Sequence, residues 1–455
     1  MGEIEDRLEE IERLGQSRRL RLISGPQGPR VLLDGRPVLL LCSNNYLGLA
    51  DHPRVREAAA EAAMRWGVGA GASRLVSGTM TIHRRLEERL AAFKGTEACV
   101  LFGSGYLANL GAIGALAGPG DAVFSDELNH ASIVDGCRGS RARVHVYRHL
   151  DVEHLDWSLR RHGGDGRRLI ATDSVFSMDG DLAPLGEIVE LARRHRARVL
   201  VDEAHATGAL GPGGRGAVAQ AGLEGEVDVL VGTLGKALGS YGAYVCAAEE
   251  MVRYLINTAR PLIFSTAPAP PAVAGALAAL ELVEERPHRV QRLRSHARTL
   301  RRALAAEGFA VPDGDMHIVP LLVGDERDAM ALCQGALERG VFAQAIRPPS
   351  VPAGTARLRL TAMASHTSAE LRRAARALGE AARAAGLEPA AIGAPATETP
   401  AAPRTAPAAP DESRTTPSHP GARALFDVEH EPSAVPFGAP PAPFDIERED
   451  SLRAA

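Results

Sequence analysis

Lysine is rare in this chain, and one of its two lysines stands in a setting suited to covalent chemistry. Of the 52 lysine and arginine residues, only Lys94 and Lys236 are lysines. Lys236 lies in a glycine-rich segment that follows the apolar run Val229–Gly232. A primary amine can lose its proton and condense with a carbonyl, which a guanidinium cannot do. We therefore interpret Lys236 as a Schiff-base lysine rather than a solvated loop residue, and Lys94, at a predicted helix end, as a surface residue.

A carboxylate and an imidazole follow another apolar run. The segment Val199–Val201 leads into Asp202 and, three residues later, His205. A carboxylate at the end of a buried parallel strand is costly unless a cation pairs with it, and a pyridinium nitrogen is such a cation. Alone, each residue has an ordinary structural explanation, since aspartates often cap helices and a lone histidine is usually structural. Beside a Schiff-base lysine they indicate a cofactor site.

Three polar turns also follow strand-like runs. The turn Gly103–Tyr106 offers backbone N–H groups at a helix start, which serve as a phosphate cradle or simply begin the helix. The second turn carries His130, whose imidazole could stack on a flat ring or cap a helix. The third turn begins at Ser177. A lysine, a buried carboxylate, a phosphate cradle and a stacking imidazole are together what pyridoxal 5′-phosphate (PLP) requires. Dinucleotide binding fits less well, because the first strand-to-helix turn carries no GxGxxG.

The elements that must position these residues alternate between apolar strands and helices. Such alternation predicts an α/β fold with a mostly parallel sheet, whose ligands lie at the carboxyl ends of the strands. A hairpin is predicted about Asp34-Gly35. The sequence places helices from about Pro53, Ile82 and Gly105, and strands near Ala98, Ala122, Val144, Ile170, Val199, His317 and Arg357.

We expect four segments along the chain. They are an N-terminal helix and hairpin (1–45), a large cofactor-binding domain (46–285), a smaller C-terminal domain (286–388) and an Ala/Pro-rich tail (389–455) that is predicted to be disordered. The tail contains a near-repeat, Phe-Asp-Val-Glu from Phe426 and Phe-Asp-Ile-Glu from Phe444. The near-repeat is explained either by drift in a low-complexity segment or by a duplicated docking motif for an unknown partner.

Composition limits the other function classes. With 45% hydrophobic residues, 24% charged residues and a formal charge of -4, the chain is typical of a soluble protein, and nothing in it indicates nucleic-acid binding. Five cysteines without CxxC spacing argue against disulfides or a metal site and fit the cytoplasm. No apolar run approaches a membrane span, and the charged N-terminus is not a signal peptide.

Over about residues 18–387 the chain resembles the α-oxoamine synthases, PLP enzymes of aminotransferase fold type I. That family has a large domain with a mostly parallel central sheet, a smaller α/β C-terminal domain, and a homodimer with a shared active site. The matching motifs, in chain order, are Ser43-Asn-Asn-Tyr-Leu-Gly-Leu49, Asn129-His-Ala-Ser132, Val175-Phe-Ser-Met-Asp-Gly-Asp181, Asp202-Glu-Ala-His-Ala-Thr-Gly208, Thr233-Leu-Gly-Lys236 and Arg357-Leu-Arg-Leu360.

The resemblance implies a role for each matching residue. The catalytic residues would be Lys236, His130, Asp202 and His205. The cofactor would also contact Gly105, Tyr106, Ser177 and Thr233, together with Ser265 and Thr266 from the other subunit. The substrates would contact Arg18, Asn44, Ser350 and Arg359. Asp173 departs from the family, which usually has glutamate there, so the hydrogen bond made at that position is left open.

The implied reaction is a decarboxylating condensation. Within the family the chain looks most like the enzyme that joins L-alanine to pimeloyl-CoA, or to a pimeloyl carrier protein, in biotin biosynthesis. One alternative is a relative that uses glycine with acetyl-CoA or another acyl-CoA, because pocket width is not readable from sequence. A remote alternative is a non-catalytic partner subunit, against which the retained Lys236, His130 and Asp202 argue.

Overall fold

The computed structural model describes residues 2–13 and 17–393, and the elements named below lie within those ranges. The helices are α1 Gly2–Arg13, α2 Pro53–Trp66, α3 Thr81–Lys94, α4 Gly105–Leu116, α5 Ala131–Gly139, α6 Val152–His162, α7 Leu185–His195, α8 Ala217–Gln220, α9 Glu249–Thr258, α10 Arg260–Ile263, α11 Pro270–Glu285, α12 His288–Ala306, α13 Glu326–Glu338 and α14 Ser368–Ala384. The strands are β1 Ile23–Ser24, β2 Arg30–Leu33, β3 Arg36–Leu40, β4 Ala98–Phe102, β5 Ala122–Asp126, β6 Arg143–Tyr147, β7 Arg168–Asp173, β8 Arg198–Asp202, β9 Val229–Thr233, β10 Ala243–Ala247, β11 Ile318–Gly324, β12 Val341–Phe342, β13 Gln344–Ile346 and β14 Ala356–Thr361.

The central sheet has seven strands in the order β4-β10-β9-β8-β7-β5-β6. Strands β5 to β9 pair in parallel, whereas β10 is antiparallel to both β4 and β9. The predicted α/β fold with a mostly parallel central sheet is confirmed. No helix in the described ranges is both long and apolar enough to cross a membrane.

Helices cover both faces of this sheet, so its inner strands are mostly apolar. In β8, Val199 and Val201 pack into the core on one face, with helices such as α11, while Leu200 packs on the other face with α4. Strands buried on both sides read as continuous Val and Leu runs rather than as an alternating pattern. A polar residue at the end of such a strand, as at Asp202, is therefore held in a fixed and buried place.

A second apolar core lies in the C-terminal part of the chain. The antiparallel sheet β11-β14-β13 packs with α12, α13 and α14 around residues such as Leu321, Leu358 and Leu378. The predicted hairpin β2–β3 joins this region, because β3 pairs in parallel with β12. The hairpin thus carries the following turn, Ser43–Gly48, toward β14. The tail from 394 onward, with Phe426 and Phe444, lies outside the described residues.

The interpretation of Lys94 as a surface residue was wrong. Its side chain is only 1% exposed and forms an ion pair with Glu203, whose side chain is fully buried. The amine also donates to the carbonyl of Arg215. Because Lys94 ends α3 against the loop that follows β8, the helix end that looks solvated in sequence is enclosed by the fold. Lys94 thus neutralises the carboxylate of the residue that follows Asp202 in the chain.

We predict that Lys94→Met destabilises the protein strongly. The substitution leaves the carboxylate of Glu203 buried without a cation, and breaking a buried ion pair costs about 3 to 5 kcal/mol. Thermal unfolding of the variant should occur at a clearly lower temperature than that of the wild type. The double variant Lys94→Met, Glu203→Gln is the matched control and should recover much of the loss, since no unpaired charge remains. Equal unfolding temperatures for the single variant and the wild type would contradict this role.

Candidate active site

Lys236 lies in the loop after β9, with its amine directed at His205. The distance from Nζ of Lys236 to Nε2 of His205 is 2.9 Å. Burial lowers the pKa of Lys236, while the carboxylates of Asp202 and Asp173 oppose that shift. Burial, and then the neighbouring charges of Lys236 and Arg359, lower the pKa of His205 well below its usual value, so its imidazole is neutral. The amine therefore has a neutral hydrogen-bond partner and a reduced hold on its proton.

Asp202 ends β8 as a buried carboxylate held by neutral donors. One oxygen accepts a hydrogen bond from the side-chain amide of Asn109 at 2.7 Å, and the other accepts one from the backbone amide of Ala204 at 2.7 Å. Its side chain forms no ion pair with any basic side chain of the described residues. A buried carboxylate in this state lacks a cation, and a protonated pyridine nitrogen supplies one.

Asp173 lies beside Asp202 on the neighbouring strand, because β7 and β8 pair with these two residues in register. Burial, and then the charge of Asp202, raise the pKa of Asp173 well above its usual range. One oxygen of Asp173 accepts the backbone N–H of His130 at 2.7 Å. The shorter side chain at this position therefore reaches the turn that carries His130.

The turn after β5 presents the imidazole of His130 at the start of α5. Its Nδ1 lies 2.7 Å from Oγ of Ser132, which in turn accepts from Asn109 at 2.9 Å. A chain of hydrogen bonds thus connects Asp202, through Asn109 and Ser132, to His130. The residue as a whole is exposed to solvent in the single chain.

The start of α4 presents the backbone amides that an anion cradle requires. Ser104 caps the helix through its side chain, which accepts from the amide of Leu107, and the amides of Gly105 and Tyr106 are the first in the helix. Backbone amides at a helix start, together with the helix dipole, favour a phosphate. Thr233 is close by, since a Cβ placed on Gly105 would lie 4.0 Å from the Cβ of Thr233.

Arg359 brings a buried guanidinium to the same cleft from β14. It donates to the carbonyl of Ser177, to Oδ1 of Asn44 at 3.1 Å and to the hydroxyl of Tyr46 at 3.2 Å. These acceptors are all neutral, and Arg359 forms no ion pair within the described chain. A buried cation surrounded by neutral groups is suited to bind the carboxylate of a ligand.

The turn that carries Ser177 is fastened by charged side chains. Arg357 forms an ion pair with Asp179, and His149 lies between Asp126, at 2.9 Å, and Asp181, at 3.0 Å. Burial alone would lower the pKa of His149, but hydrogen bonds and charges of both aspartates outweigh it and raise the pKa to about 10. His149 is therefore a cation at neutral pH and ties β5 to this turn.

Four predicted residues lie apart from this cluster within one chain. Ser265 and Thr266 follow α10, where Thr266 forms a β-bridge with Ser73, and no hydrogen bond links either of them to the Lys236 group. Arg18 and Ser350 line a separate cavity of about 540 Å³ beside α13. The structure therefore leaves their predicted roles as expectations.

Two residues of the cluster were missed in the sequence. Tyr46 is fully buried, with its hydroxyl 2.6 Å from Nδ1 of His205, and Asn109 holds Asp202. A signal for Asn109 was present, because it is a polar residue within the otherwise apolar helix Gly105–Leu116. Tyr46 gave no such signal, since a buried tyrosine in a turn next to Leu47 and Leu49 is usually a core residue.

The residues together fit PLP. A lysine amine with a lowered pKa, a buried carboxylate without a cation, a helix N-terminus for the phosphate and an exposed histidine each match one part of that molecule. In the described residues no group of three or more His, Cys, Asp or Glu side chains is arranged to hold a metal ion. The arrangement can bind an amino acid by its carboxylate at Arg359 and move a proton with Lys236.

Comparison with known proteins agrees with this chemistry. The family model described as aminotransferase class I and II matches residues 36–378. The 8-amino-7-oxononanoate synthase of Geobacter sulfurreducens is 54% identical over 373 residues, covering 82% of this chain and 95% of that protein. The enzyme of the same name from Symbiobacterium thermophilum is 48% identical over 376 residues, covering 82% of this chain and 96% of its own.

Solved structures give the same fold. A serine palmitoyltransferase variant from S. paucimobilis, solved with bound PLP and myriocin, matches with a TM-score of 0.80 and 36% identity, covering 85% of this chain and 98% of its own. The 8-amino-7-oxononanoate synthase from Francisella tularensis matches with a TM-score of 0.66 and 25% identity, covering 77% of this chain and 99% of its own.

We predict that His149 stabilises the folded state in a pH-dependent way. Because its pKa is raised from 6.5 to about 10, the stabilisation is complete below about pH 6.5 and is lost as the pH rises toward 10. The difference in unfolding free energy between the wild type and His149→Gln should therefore be largest near pH 6 and shrink toward pH 10. Urea unfolding across this pH range measures the difference in unfolding free energy. A difference that stays constant with pH would contradict the ion pairs of His149 with Asp126 and Asp181.

Proposed function

The chain belongs to the aminotransferase class I and II family, and from that premise we propose that it works as an 8-amino-7-oxononanoate synthase. It is an acyltransferase that uses PLP. The proposed reaction joins L-alanine to a pimeloyl thioester and yields 8-amino-7-oxononanoate, CO₂ and the free thiol, as a step of biotin biosynthesis. The relatives near 50% identity that carry this name support the proposal.

The observation that carries the proposal is the pair of unsatisfied charges in one cleft. Asp202 is a buried carboxylate without a cation, and Arg359 is a buried guanidinium without an anion. PLP, when bound, accepts the electron pair that is left at the α-carbon of the amino acid, and its ring nitrogen pairs with Asp202. The carboxylate of L-alanine pairs with Arg359 and Asn44.

The remaining residues position the reacting atoms. Lys236 holds the cofactor and then takes a proton from the α-carbon of alanine, because burial has lowered its pKa. His205 accepts a hydrogen bond from that amine, and His130 would cover one face of the cofactor ring. The N-terminus of α4 and Thr233 hold the phosphate. Ser177, whose carbonyl Arg359 contacts, would lie beside the bound cofactor.

The proposed assembly is a homodimer with a shared active site. Ser265 and Thr266 lie away from the cluster of their own chain, so in this proposal each subunit lends them to the phosphate site of the other. Arg18 and Ser350, which both line the 540 Å³ cavity, are proposed to contact the acyl substrate, whether it is pimeloyl-CoA or a pimeloyl carrier protein. A cytoplasmic location fits the free thiols of all five cysteines.

Turnover with a panel of substrates tests this proposal. L-alanine, glycine and L-serine should each be combined with pimeloyl-CoA, a pimeloyl carrier protein, acetyl-CoA and palmitoyl-CoA, with CO₂ release as the measurement. L-alanine with a pimeloyl thioester should give the highest kcat/KM, and Lys236→Ala should give none. Faster reaction of glycine with acetyl-CoA, or of L-serine with palmitoyl-CoA, would assign the chain to another acyltransferase of this fold.

We predict that Asp202→Asn lowers kcat by one to several decades while the cofactor still binds through its phosphate. The substitution removes the anion that pairs with the ring nitrogen, and loss of a buried charge pair costs about 2 to 5 kcal/mol. Asp173→Asn is the matched control. It removes the neighbouring carboxylate on β7 but leaves Asp202 in place to pair with the ring nitrogen, so kcat should fall much less than in Asp202→Asn. Near-wild-type turnover by Asp202→Asn would refute the pairing.

A further inference from the structure

Tyr46 connects the two halves of the cleft. Its side chain is fully buried. The hydroxyl lies 2.6 Å from Nδ1 of His205, 3.1 Å from Oδ1 of Asn44 and 3.2 Å from Nη2 of Arg359. On its other side, His205 contacts the amine of Lys236 at 2.9 Å. One hydroxyl therefore lies between the residue that binds the substrate carboxylate and the residue that moves the substrate proton.

The hydroxyl is held firmly in this place. The backbone N–H of Tyr46 donates to the carbonyl of Asn44 at 2.8 Å, and its own carbonyl accepts from Ala364 at 2.7 Å. The ring packs edge-on against His317, with centroids 4.3 Å apart. Because the backbone and the ring are both fixed, the hydroxyl has little freedom to follow His205 or Arg359 and instead sets where they lie.

The donor and acceptor in each hydrogen bond around the Tyr46 hydroxyl can be assigned by elimination. A guanidinium only donates hydrogen bonds, so the oxygen of Tyr46 accepts from Arg359. The carbonyl oxygen of Asn44 only accepts, so it takes the proton of the hydroxyl. The second lone pair of the Tyr46 oxygen then accepts from Nδ1–H of His205. A neutral imidazole has one N–H, which leaves Nε2 of His205 as an acceptor for Lys236.

We propose that Tyr46 is a positioning residue that couples the carboxylate-binding Arg359 to the His205–Lys236 pair. Its hydroxyl holds the guanidinium in the orientation that receives a carboxylate, and it fixes the imidazole with its acceptor nitrogen toward the lysine. The proposal rests on the proposed function only in the role of Arg359 toward the substrate carboxylate. The residue touches neither substrate nor cofactor in this role and acts through its two neighbours.

Tyr46→Phe, which removes one oxygen atom, tests the coupling in the PLP-loaded enzyme. Binding of L-alanine and of ethylamine, which lacks the carboxylate, is followed by the visible absorbance of the cofactor. We expect the Kd for L-alanine to rise about tenfold, the effect of losing one hydrogen bond to a charged group, and the Kd for ethylamine to stay within twofold. The kcat with L-alanine should also fall at least tenfold, because Lys236 loses its oriented acceptor.

Tyr244→Phe is the matched control. Tyr244 is equally buried, and its hydroxyl contacts Thr207 at 2.9 Å. This variant should keep both Kd values and kcat within twofold of the wild type. Identical behaviour of the Tyr46 and Tyr244 variants would overturn the proposal, and so would an equal loss of affinity for L-alanine and ethylamine, which indicates general damage to the cleft.

Two further measurements keep the test decisive. In an Arg359→Lys background, Tyr46→Phe should weaken L-alanine binding much less than it does in the wild type, and a full additional tenfold loss would contradict coupling through Arg359. If Tyr46→Phe does not fold, 3-fluorotyrosine at position 46 keeps the hydroxyl as a weaker acceptor and should give a smaller loss in the same direction. Unchanged Kd and kcat values in the 3-fluorotyrosine protein would overturn the proposal.

Failure of the inference is separate from failure of the proposed function. Wild-type protein that does not turn over L-alanine with a pimeloyl thioester refutes the function itself. Protein that does so, and in which the Tyr46 variant matches the Tyr244 variant, refutes only the role of Tyr46.

Discussion

The site depends on a lowered pKa for the amine of Lys236, which lies in a cleft that also contains buried carboxylates and a guanidinium. Burial and the guanidinium of Arg359 favour the neutral amine of Lys236, whereas the carboxylates of Asp202 and Asp173 favour the ammonium form. The net effect is a lowered pKa. That balance needs the carboxylates to be buried at fixed distances, which is what the apolar, doubly covered strands β7 and β8 provide.

Hydrogen bonds extend from this centre in two directions. On one side, Asn109 and Ser132 connect Asp202 to the ring of His130. On the other side, His205 and Tyr46 connect Lys236 to Arg359. The first set belongs to the central sheet and its helices, while Arg359 comes from the C-terminal sheet. The cleft is thus complete only when the two apolar cores are packed together.

Sequence reasoning reached the parts of this site that carry their own local signal. Lys236 stands out because lysine is rare in the chain, and Asp202 because a carboxylate ends an apolar strand. Lys94 was misjudged, since the sequence does not show that a helix end is covered by a distant loop containing Glu203. Tyr46 was missed for the same reason. Its partners His205 and Arg359 lie 159 and 313 positions away along the chain, and only the fold brings them together.

The most direct measurement is to locate the cofactor on the chain. Reduction of the PLP-loaded protein with borohydride makes a lysine–PLP linkage permanent, and peptide mass spectrometry then identifies the residue that carries it. Because the chain has only two lysines, the result is unambiguous. The account predicts the label at Lys236 alone. A label at Lys94, or an unlabelled Lys236 in protein that retains PLP, would contradict it.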